Sequence, residues 1–412
     1  MYFCPNFQFN YKIAQNMIDN LIARDMSSTL GELFNHLPVL TVTGPRQSGK
    51  TTLCRSLFGD LPYVNLEDLS LLAQVRSDPK AFLERHRFGV IIDEAQNYPE
   101  IFSSLQVAVD NDRFSGQKPR RFVVTGSNNF SLMEKITQSM AGRTAVLSLL
   151  PLSTDEILRY NPHATTSELI INGGFPALWV AKGHGRRLLL SNYYTTYIER
   201  DVRQMLNVSN MSAFQLFVRL CAGRIGQEFN KLAISNEVGV SVNTISHWLS
   251  ILNASYVTYT LSPYYANISK RLTKTPKLYF YDTGLAAYLM GINTIEQLDV
   301  HPLRGNLLEN LVVNDFMKYD ANRALNQQLH FYRDKSQHEV DLLRISGNGF
   351  EAYEIKSSKT WSSSFFRNLD YLKKVLGEQL TRSMLLYDGD QENPLNNNGY
   401  INFRNISQYL SS

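Results

Sequence analysis

The sequence predicts an α/β protein whose first half is built on a parallel sheet. Three stretches predict it: "TVTGPRQSGKTTL" at 41–53, "RFGVIIDEAQ" at 87–96 and "RRFVVTGSNN" at 120–129. Each is an apolar, β-branched run closed by small polar or acidic residues, the pattern of a strand buried on both faces whose carboxyl end meets solvent. In open α/β sheets that edge is where ligands bind.

The first stretch carries the most chemistry. Gly44, Gly49, Lys50 and Thr51 fall on the phosphate-loop spacing G-x-x-x-x-G-K-[ST]. The strand-like "PVLTVTG" precedes it and the helix start "KTTLCRSLF" follows, so loop N–H groups and a helix N-terminus converge on one anion. Gly44, Pro45, Arg46, Gln47, Ser48, Gly49, Lys50, Thr51 and Thr52 are therefore the candidates for cradling ATP, making this a P-loop NTPase domain. Lys50 would reach the β- and γ-phosphates, and Thr51 would hold Mg²⁺.

In the second stretch, Asp93 would bind the same Mg²⁺ through water while Glu94 polarises the attacking water. That acid pair favours hydrolysis over nucleotide storage. Ser127 or Asn128, closing the third stretch, would sense the γ-phosphate. Arg143, just before another apolar run, is the candidate for stabilising charge on the transferred phosphoryl group, from its own chain or a neighbouring one. Ser153 and Glu156 then make a capping-box pattern that starts a helix and leaves this domain.

Length and composition bound the rest. A chain of 412 residues is long for one domain, and 43% hydrophobic with 19% charged residues suits sizeable cores. The N-terminus lacks a basic segment followed by an apolar one, and no run approaches membrane-spanning length, so a cytoplasmic protein without membrane contact is expected. Cys4, Cys54 and Cys221 are scattered without C-x-x-C pairing, which supports neither a disulfide framework nor structural zinc. The net charge is +4, yet residues 211–280 alone carry seven Lys or Arg against two acids. A nucleic-acid partner would be met there.

Within that basic segment, "FNKLAISNEVGVSVNTISHWLSILNASYVTYTL" reads helix, turn, helix, strand. Leu232, Ala233 and Val238 supply one apolar face, Gly239 the turn, and Val242, Ile245, Leu249 and Leu252 the next face. This is the layout of a winged helix-turn-helix with "YVTYTLSPYY" as wing. Asn243, Thr244, Ser246 and His247 would be exposed on the second helix, which offers no Lys or Arg to DNA. Lys270, Arg271, Lys274 and Lys277 follow the wing instead, so phosphate contact is expected more than base reading. Trp248 reads as core, and the same module can equally serve packing or protein contact.

Two further strands, "HFYRDKSQHEVDLLRI" and "GFEAYEIKSSK", follow a helical stretch carrying Glu309 and Asn310. Asp341 lies in the first strand; Glu354 and Lys356 share a face of the second. The pattern E…D-x₁₂-E-x-K resembles the PD-(D/E)xK nucleases. Asp341 and Glu354 would supply hard oxygens to Mg²⁺ or Mn²⁺, Lys356 would orient the attacking water, and Glu309 would hold a metal-bound water or a second ion. Glu339 faces the same side as Asp341 and is the alternative ligand; Asn310 has no obvious task.

Taken together, "VLTVTGPRQSGKTTL", "VIIDEAQ", "VVTGSNN", "MAGRTAVLSLLPLSTDEI", "NGGFPAL", "YYTTYIERDV" and "PKLYFYDTGLAAYLMG" resemble the AAA+-superfamily ATPases of bacteria and archaea that carry a C-terminal domain of unknown function. The resemblance runs through nearly the whole chain. It implies an N-terminal helical extension (1–36), a P-loop ATPase domain (37–152), a helical connector (153–210), a winged-helix domain (211–262) and a restriction-endonuclease-like α/β domain (263–412). A homo-oligomer is expected by analogy only. Three functions follow: an ATPase coupled to DNA or RNA processing, a nucleotide-controlled switch for a protein partner with a nuclease-like scaffold, and a small-molecule kinase, against which the Asp93-Glu94 pair argues.

Overall fold

A computed structural model describes residues 21–116, 119–127, 135–136, 138–181, 185–202, 210–264, 275–326, 328–347, 349–395 and 398–410. Asn128, Lys270, Arg271, Lys274 and Cys4 lie outside the described residues.

The apolar runs of the first half pair as a five-stranded sheet: β1 (Val39–Thr43), β2 (Tyr63–Asn65), β3 (Gly89–Asp93), β4 (Arg121–Thr125) and β5 (Thr144–Ser148), in the order β2-β3-β4-β1-β5. All pairings are parallel, which explains why β1 and β3 read as unbroken apolar stretches rather than alternating ones. Helices Met26–His36 and Lys50–Leu57 bury Met26, Leu30, Leu53 and Cys54 in one core with Leu40 and Val42 of β1. On the other face, Ile101, Phe102 and Leu105 of helix Ile101–Phe114 pack with Val90, Ile92 and Val124. Because every strand points the same way, the residues following β1, β3 and β4 gather at one edge.

Beyond β5, Ser153 caps helix Thr154–Tyr160 by accepting from Glu156 N, while the Glu156 side chain accepts from Ser153 N. Further on come helix Met211–Ala222, β6 (Gln227–Glu228), helices Lys231–Val238 and Val242–Ala254, β7 (Thr258–Leu261) and β8 (Lys277–Phe280). The three strands form an antiparallel sheet in the order β6-β8-β7. The boundary expected at 262/263 therefore falls inside this sheet, since β8 pairs with the middle segment. Gly239 makes the turn between the two helices at φ 74°, a left-handed conformation that suits glycine. Trp248 packs against Phe214 and Phe217, with ring centroids 5.4 and 5.5 Å away. Leu232 and Val242, expected on the apolar faces, are exposed; Ile234 and Ile245 hold the buried positions. Ile245, Leu249 and Leu252 are buried as expected, so the face of the second helix holds and Val242 departs from it in the first turn.

The last sheet is mixed: β9 (Gln328–Arg333), β10 (Glu339–Ser346), β11 (Gly349–Lys356), β12 (Leu380–Tyr387) and β13 (Asn398–Asn402), in the order β13-β12-β11-β10-β9. β9, β10 and β11 run antiparallel, whereas β11, β12 and β13 run parallel. Phe316 of helix Arg304–Asn322 packs on Tyr353 of β11, at 4.7 Å between centroids, while Leu369 and Leu372 of helix Arg367–Leu376 join Leu343 and Ala352 in a separate core. No helix among the described residues is long and apolar enough to cross a membrane.

Candidate functional site

The loop after β1 is built by backbone that only certain residues tolerate. Gly44 has φ 136°, and a Cβ there would lie 2.3 Å from Leu149 O. Gly49 sits at φ 94° where helix Lys50–Leu57 begins. Just after Gly49, Lys50 turns back so that its ammonium donates to Gly44 O at 3.1 Å and Pro45 O at 2.7 Å. Burial pushes that ammonium down to about 8, against the pull of the Glu94 and Asp93 carboxylates. A cation held with so little solvent interacts strongly with an arriving anion. The Ser48 hydroxyl is buried without a hydrogen-bond partner, a donor left for a ligand. Arg46 and Gln47 are exposed at the crest of the loop, and Pro45 is buried.

Asp93, at the end of β3, is fixed by four donors. Thr51 Oγ1 and Tyr63 OH donate to Oδ2 at 2.8 and 2.7 Å. Thr125 Oγ1 and Glu94 N donate to Oδ1, the latter at 3.1 Å. The structure thus brings Thr51 and Asp93 together, and two hard oxygens this close suit the ligand set of Mg²⁺. Glu94 follows at φ 57°, a left-handed backbone that swings it off the line of the strand. Burial, with Asp93 beside it, raises the Glu94 carboxyl, while the Gln96 amide that donates to it works the other way. Gln96 Oε1 also accepts from Ser127 N at 3.2 Å, which ties the end of β4 to the acid pair.

Arg143 stands away from the phosphate loop of its own chain, which leaves the expected role to the site of a neighbouring chain. It precedes β5, whose first residue Thr144 pairs with Val39 at the start of β1. The phosphate loop follows the far end of β1, a strand length away, roughly 16 Å at 3.3 Å per residue. Arg143 forms a forked pair with Asp110, Nε and Nη2 to the carboxylate at 2.8 and 2.9 Å, so within this chain it braces the sheet's opposite edge.

Sequence reasoning missed the residue that braces the loop from behind. Arg24, nearly buried, donates to Ser48 O at 2.7 Å, Leu150 O at 2.6 Å and Glu156 Oε1 at 3.1 Å. No local spacing announces an arginine so far upstream. Gln96 and Thr125, by contrast, lie inside stretches already singled out, and their polarity at strand ends was the available signal.

In the C-terminal sheet, Leu342 pairs with Tyr353, which sets Asp341 beside Glu354. Lys356 Nζ lies 2.6 Å from Glu354 Oε1 and 3.8 Å from Asp341 Oδ2. Lys277 is a correction: expected to meet phosphate, it is buried, with its ammonium 2.9 Å from Glu309, 2.7 Å from Glu339 and 3.9 Å from Asp341. Burial disfavours that charge, but the Glu309, Asp341 and Glu339 carboxylates outweigh it and hold the ammonium charged beyond its ordinary range. Burial pushes the Glu309 carboxyl up to about 7 and that of Glu354 up to about 8. Two ammonium groups stand among the donors expected for Mg²⁺ or Mn²⁺: Lys356 on Glu354, and Lys277 on Glu309 and Glu339 with Asp341 at the longer 3.9 Å. Among the described residues, no group of three or more His, Cys, Asp or Glu side chains is placed to hold a metal ion.

Sheet order, loop and acid pair make this a P-loop NTPase-like parallel-sheet domain, and residues 36–158 match a family described as an AAA domain. Residues 164–296 and 304–409 match two families described as domains of unknown function, DUF8612 and DUF4143. An uncharacterized protein of Mycobacterium tuberculosis is 29% identical over 375 residues, covering 90% of this chain and 81% of its own. An uncharacterized protein of Haemophilus influenzae is 25% identical over 377 residues, covering 82% and 88% respectively. Among solved structures, a Walker-type ATPase of Pyrococcus abyssi aligns with a TM-score of 0.42 at 14% identity, over 66% of this chain and 96% of that one. A RuvB variant of Thermotoga maritima aligns with a TM-score of 0.32 at 15% identity, over 59% of this chain and 91% of that one. TM-scores this low carry no argument about function.

Proposed function

We propose that the protein binds and hydrolyses ATP at the edge of its parallel sheet. The observation that carries this reading is the contact of Thr51 Oγ1 with Asp93 Oδ2 at 2.8 Å, beside the buried Lys50 ammonium and the half-buried Glu94 carboxyl. Main-chain N–H groups of the loop and the Lys50 ammonium bind the phosphates, and Ser48 Oγ gains a partner there. Thr51 and Asp93 would hold Mg²⁺, whose contribution when bound is to neutralise charge on the phosphate oxygens. Glu94 orients water for attack and takes its proton, a task that its raised carboxyl suits. Ser127, tied to Glu94 through Gln96, is the candidate for registering the terminal phosphate. Measuring phosphate release with Lys50→Ala and Glu94→Gln tests this: Lys50→Ala loses binding and turnover, Glu94→Gln loses turnover alone. Parent-like hydrolysis by Lys50→Ala would overturn it.

A second reading, a nucleotide-controlled switch, is favoured by contacts between the loop and the middle segment. Tyr256, at φ 54° just beyond helix Val242–Ala254, places its hydroxyl 2.8 Å from Ser148 Oγ and 3.4 Å from Thr43 Oγ1, the residue before Gly44. Next to it, Ser255 O accepts from Tyr197 OH at 2.8 Å, and the Arg46 guanidinium lies over the Tyr197 ring at 5.6 Å. A change at Arg46 or Thr43 on nucleotide binding is thereby felt at the end of the helix that would face a partner. The switch takes a protein partner; a nucleic-acid partner belongs to the reading of an ATPase coupled to DNA or RNA processing, which rests on the exposed Asn243 and His247 and on the basic residues of 211–280 other than the buried Lys277. ATP turnover that rises with added DNA or RNA supports the coupled ATPase; turnover indifferent to both supports the switch.

A further inference from the structure

We propose that Lys277 is the resident counter-ion of the C-terminal acidic site, an ammonium standing where a metal-dependent nuclease carries its divalent cation. Four carboxylates converge there from three elements: Glu309 from helix Arg304–Asn322, Glu339 and Asp341 from β10, and Glu354 from β11. Lys277 arrives from outside that domain, on β8 of the three-stranded sheet. Tyr279, on the same face of β8, adds a hydroxyl that donates to Glu309 Oε1 at 2.5 Å.

The strand that delivers Lys277 is clamped. Asn310 pairs its side-chain amide with the backbone of Phe280, accepting from Phe280 N and donating to Phe280 O, both at 2.8 Å. Asn314 donates to the same carbonyl at 3.0 Å. Asn310, which had no task in the sequence, holds β8 against the acidic helix.

Little is left for a metal. Glu309 and Glu339 each give an oxygen to Lys277. Asp341 Oδ2 accepts from Ile355 N at 2.8 Å while Asp341 Oδ1 faces Lys277 Nζ at 3.9 Å, and Glu354 Oε1 holds Lys356. Glu354 Oε2 is the oxygen of the cluster that is buried without a partner, whereas Mg²⁺ or Mn²⁺ asks for about six ligands. A divalent ion would also meet the ammonium as a like charge at close range in a desolvated site. Lys277 thus does two jobs at once: it neutralises the acidic site and pins the middle segment to the C-terminal sheet.

The test uses the full chain, without nucleotide and in an Asp93→Asn background that silences the phosphate-loop site. Thermal unfolding is followed with and without millimolar Mn²⁺. With Lys277 in place, Mn²⁺ leaves the unfolding temperature unmoved. Lys277→Met unfolds several degrees lower, and Mn²⁺ restores it unless Asp341→Asn is added. A Mn²⁺-induced rise with Lys277 in place that disappears with Glu354→Gln overturns the proposal, as does a folded Lys277→Met protein that Mn²⁺ does not restore. Should Lys277→Met fail to fold, the comparison with and without Glu354→Gln decides alone, absence of a Mn²⁺ response supporting the proposal and its presence refuting it. Because ATP takes no part, this outcome is independent of whether the phosphate loop hydrolyses nucleotide.

Discussion

Replacing Arg24 by Ala removes the one side chain that joins the phosphate loop, the end of the sheet and the following helix. Its three hydrogen bonds reach Ser48 O, Leu150 O and Glu156 Oε1. A hydrogen bond to a charged group contributes about 1.5–3 kcal/mol net, and breaking a buried ion pair by removing one partner costs about 3–5 kcal/mol. Glu156 keeps donors from Asp25 N at 2.7 Å and Ser153 N at 2.9 Å, so its orphaned charge is only partly uncompensated. The expected cost is therefore about 3 kcal/mol, the low end of the range. Part of that loss appears as loop disorder that nucleotide must reverse, and ordering the loop again weakens ATP binding by about tenfold, or 1.4 kcal/mol.

Differential scanning calorimetry reads the first effect and isothermal titration with Mg-ATP the second. Arg24→Lys, which can replace one bond but not the fork, falls between parent and Ala. Combining Arg24→Ala with Glu156→Gln should cost less than the two changes added, since each removes the same ion pair. A loss under about 1 kcal/mol, the scale of an exposed pair, together with parent-like ATP affinity, would refute the bracing role.

Other consequences are read as directly. Glu94→Gln should bind Mg-ATP like the parent while turnover falls by about 10² to 10⁴ in phosphate-release assays, the range of a lost general base. Gly44→Ala forces a Cβ onto Leu149 O at 2.3 Å with φ at 136°, so both nucleotide binding and unfolding temperature should drop, by titration and calorimetry. Tyr256→Phe keeps the ring but loses the hydroxyl contacts to Ser148 and Thr43; it should leave ATP affinity near the parent's and weaken any response of turnover to the partner. Burial, and then the Asp341 carboxylate beside it, push the Glu354 carboxyl up to about 8, well above an unfolded carboxyl, so the folded state keeps a proton that the unfolded state gives up. Its stabilising effect is full below about pH 4.3 and is lost as pH rises through 8, at up to about 1.4 kcal/mol per pH unit. Glu354→Gln should flatten the fall in unfolding temperature between pH 5 and 9; an unchanged slope would contradict the assignment.

The phosphate loop was legible because its chemistry is local. Gly44, Gly49, Lys50 and Thr51 lie within one turn and one helix start, and the positive φ values they require are written in the glycines themselves. Asp93 and Glu94 were legible because a parallel sheet delivers every strand end to one edge. For Arg143 the sequence gives no sign of which edge a residue at a strand boundary occupies; only the register of β5 on β1 does. Lys277 misled for a different reason: a run of basic residues implies a solvated face, but β8 is buried along its whole length and carries Lys277 onto carboxylates brought from 32 and 64 residues away.

The short segment from Leu150 to Glu156 explains how both ends of the chain can answer to one loop. Leu150 O takes Arg24, Leu152 O takes the buried Lys318 Nζ at 2.8 Å, and Thr154 N donates to Asp315 Oδ1 at 2.9 Å. Lys318 and Asp315 belong to the helix that also carries Glu309 and the Asn310 clamp on β8. Leu152 N reaches Gly174 O at 2.7 Å, and Gly174 N reaches the buried Asp282. Each partner fixes the same short stretch of backbone, and that stretch continues β5 beside the strand that leads into the phosphate loop. The shared seam joins the strand beside the loop to the C-terminal helix through direct hydrogen bonds. Removing the contact from one side, as with Lys318→Met, should alter ATP affinity from a helix that never touches nucleotide, and equal affinities in parent and variant would confine the loop's influence to its own domain.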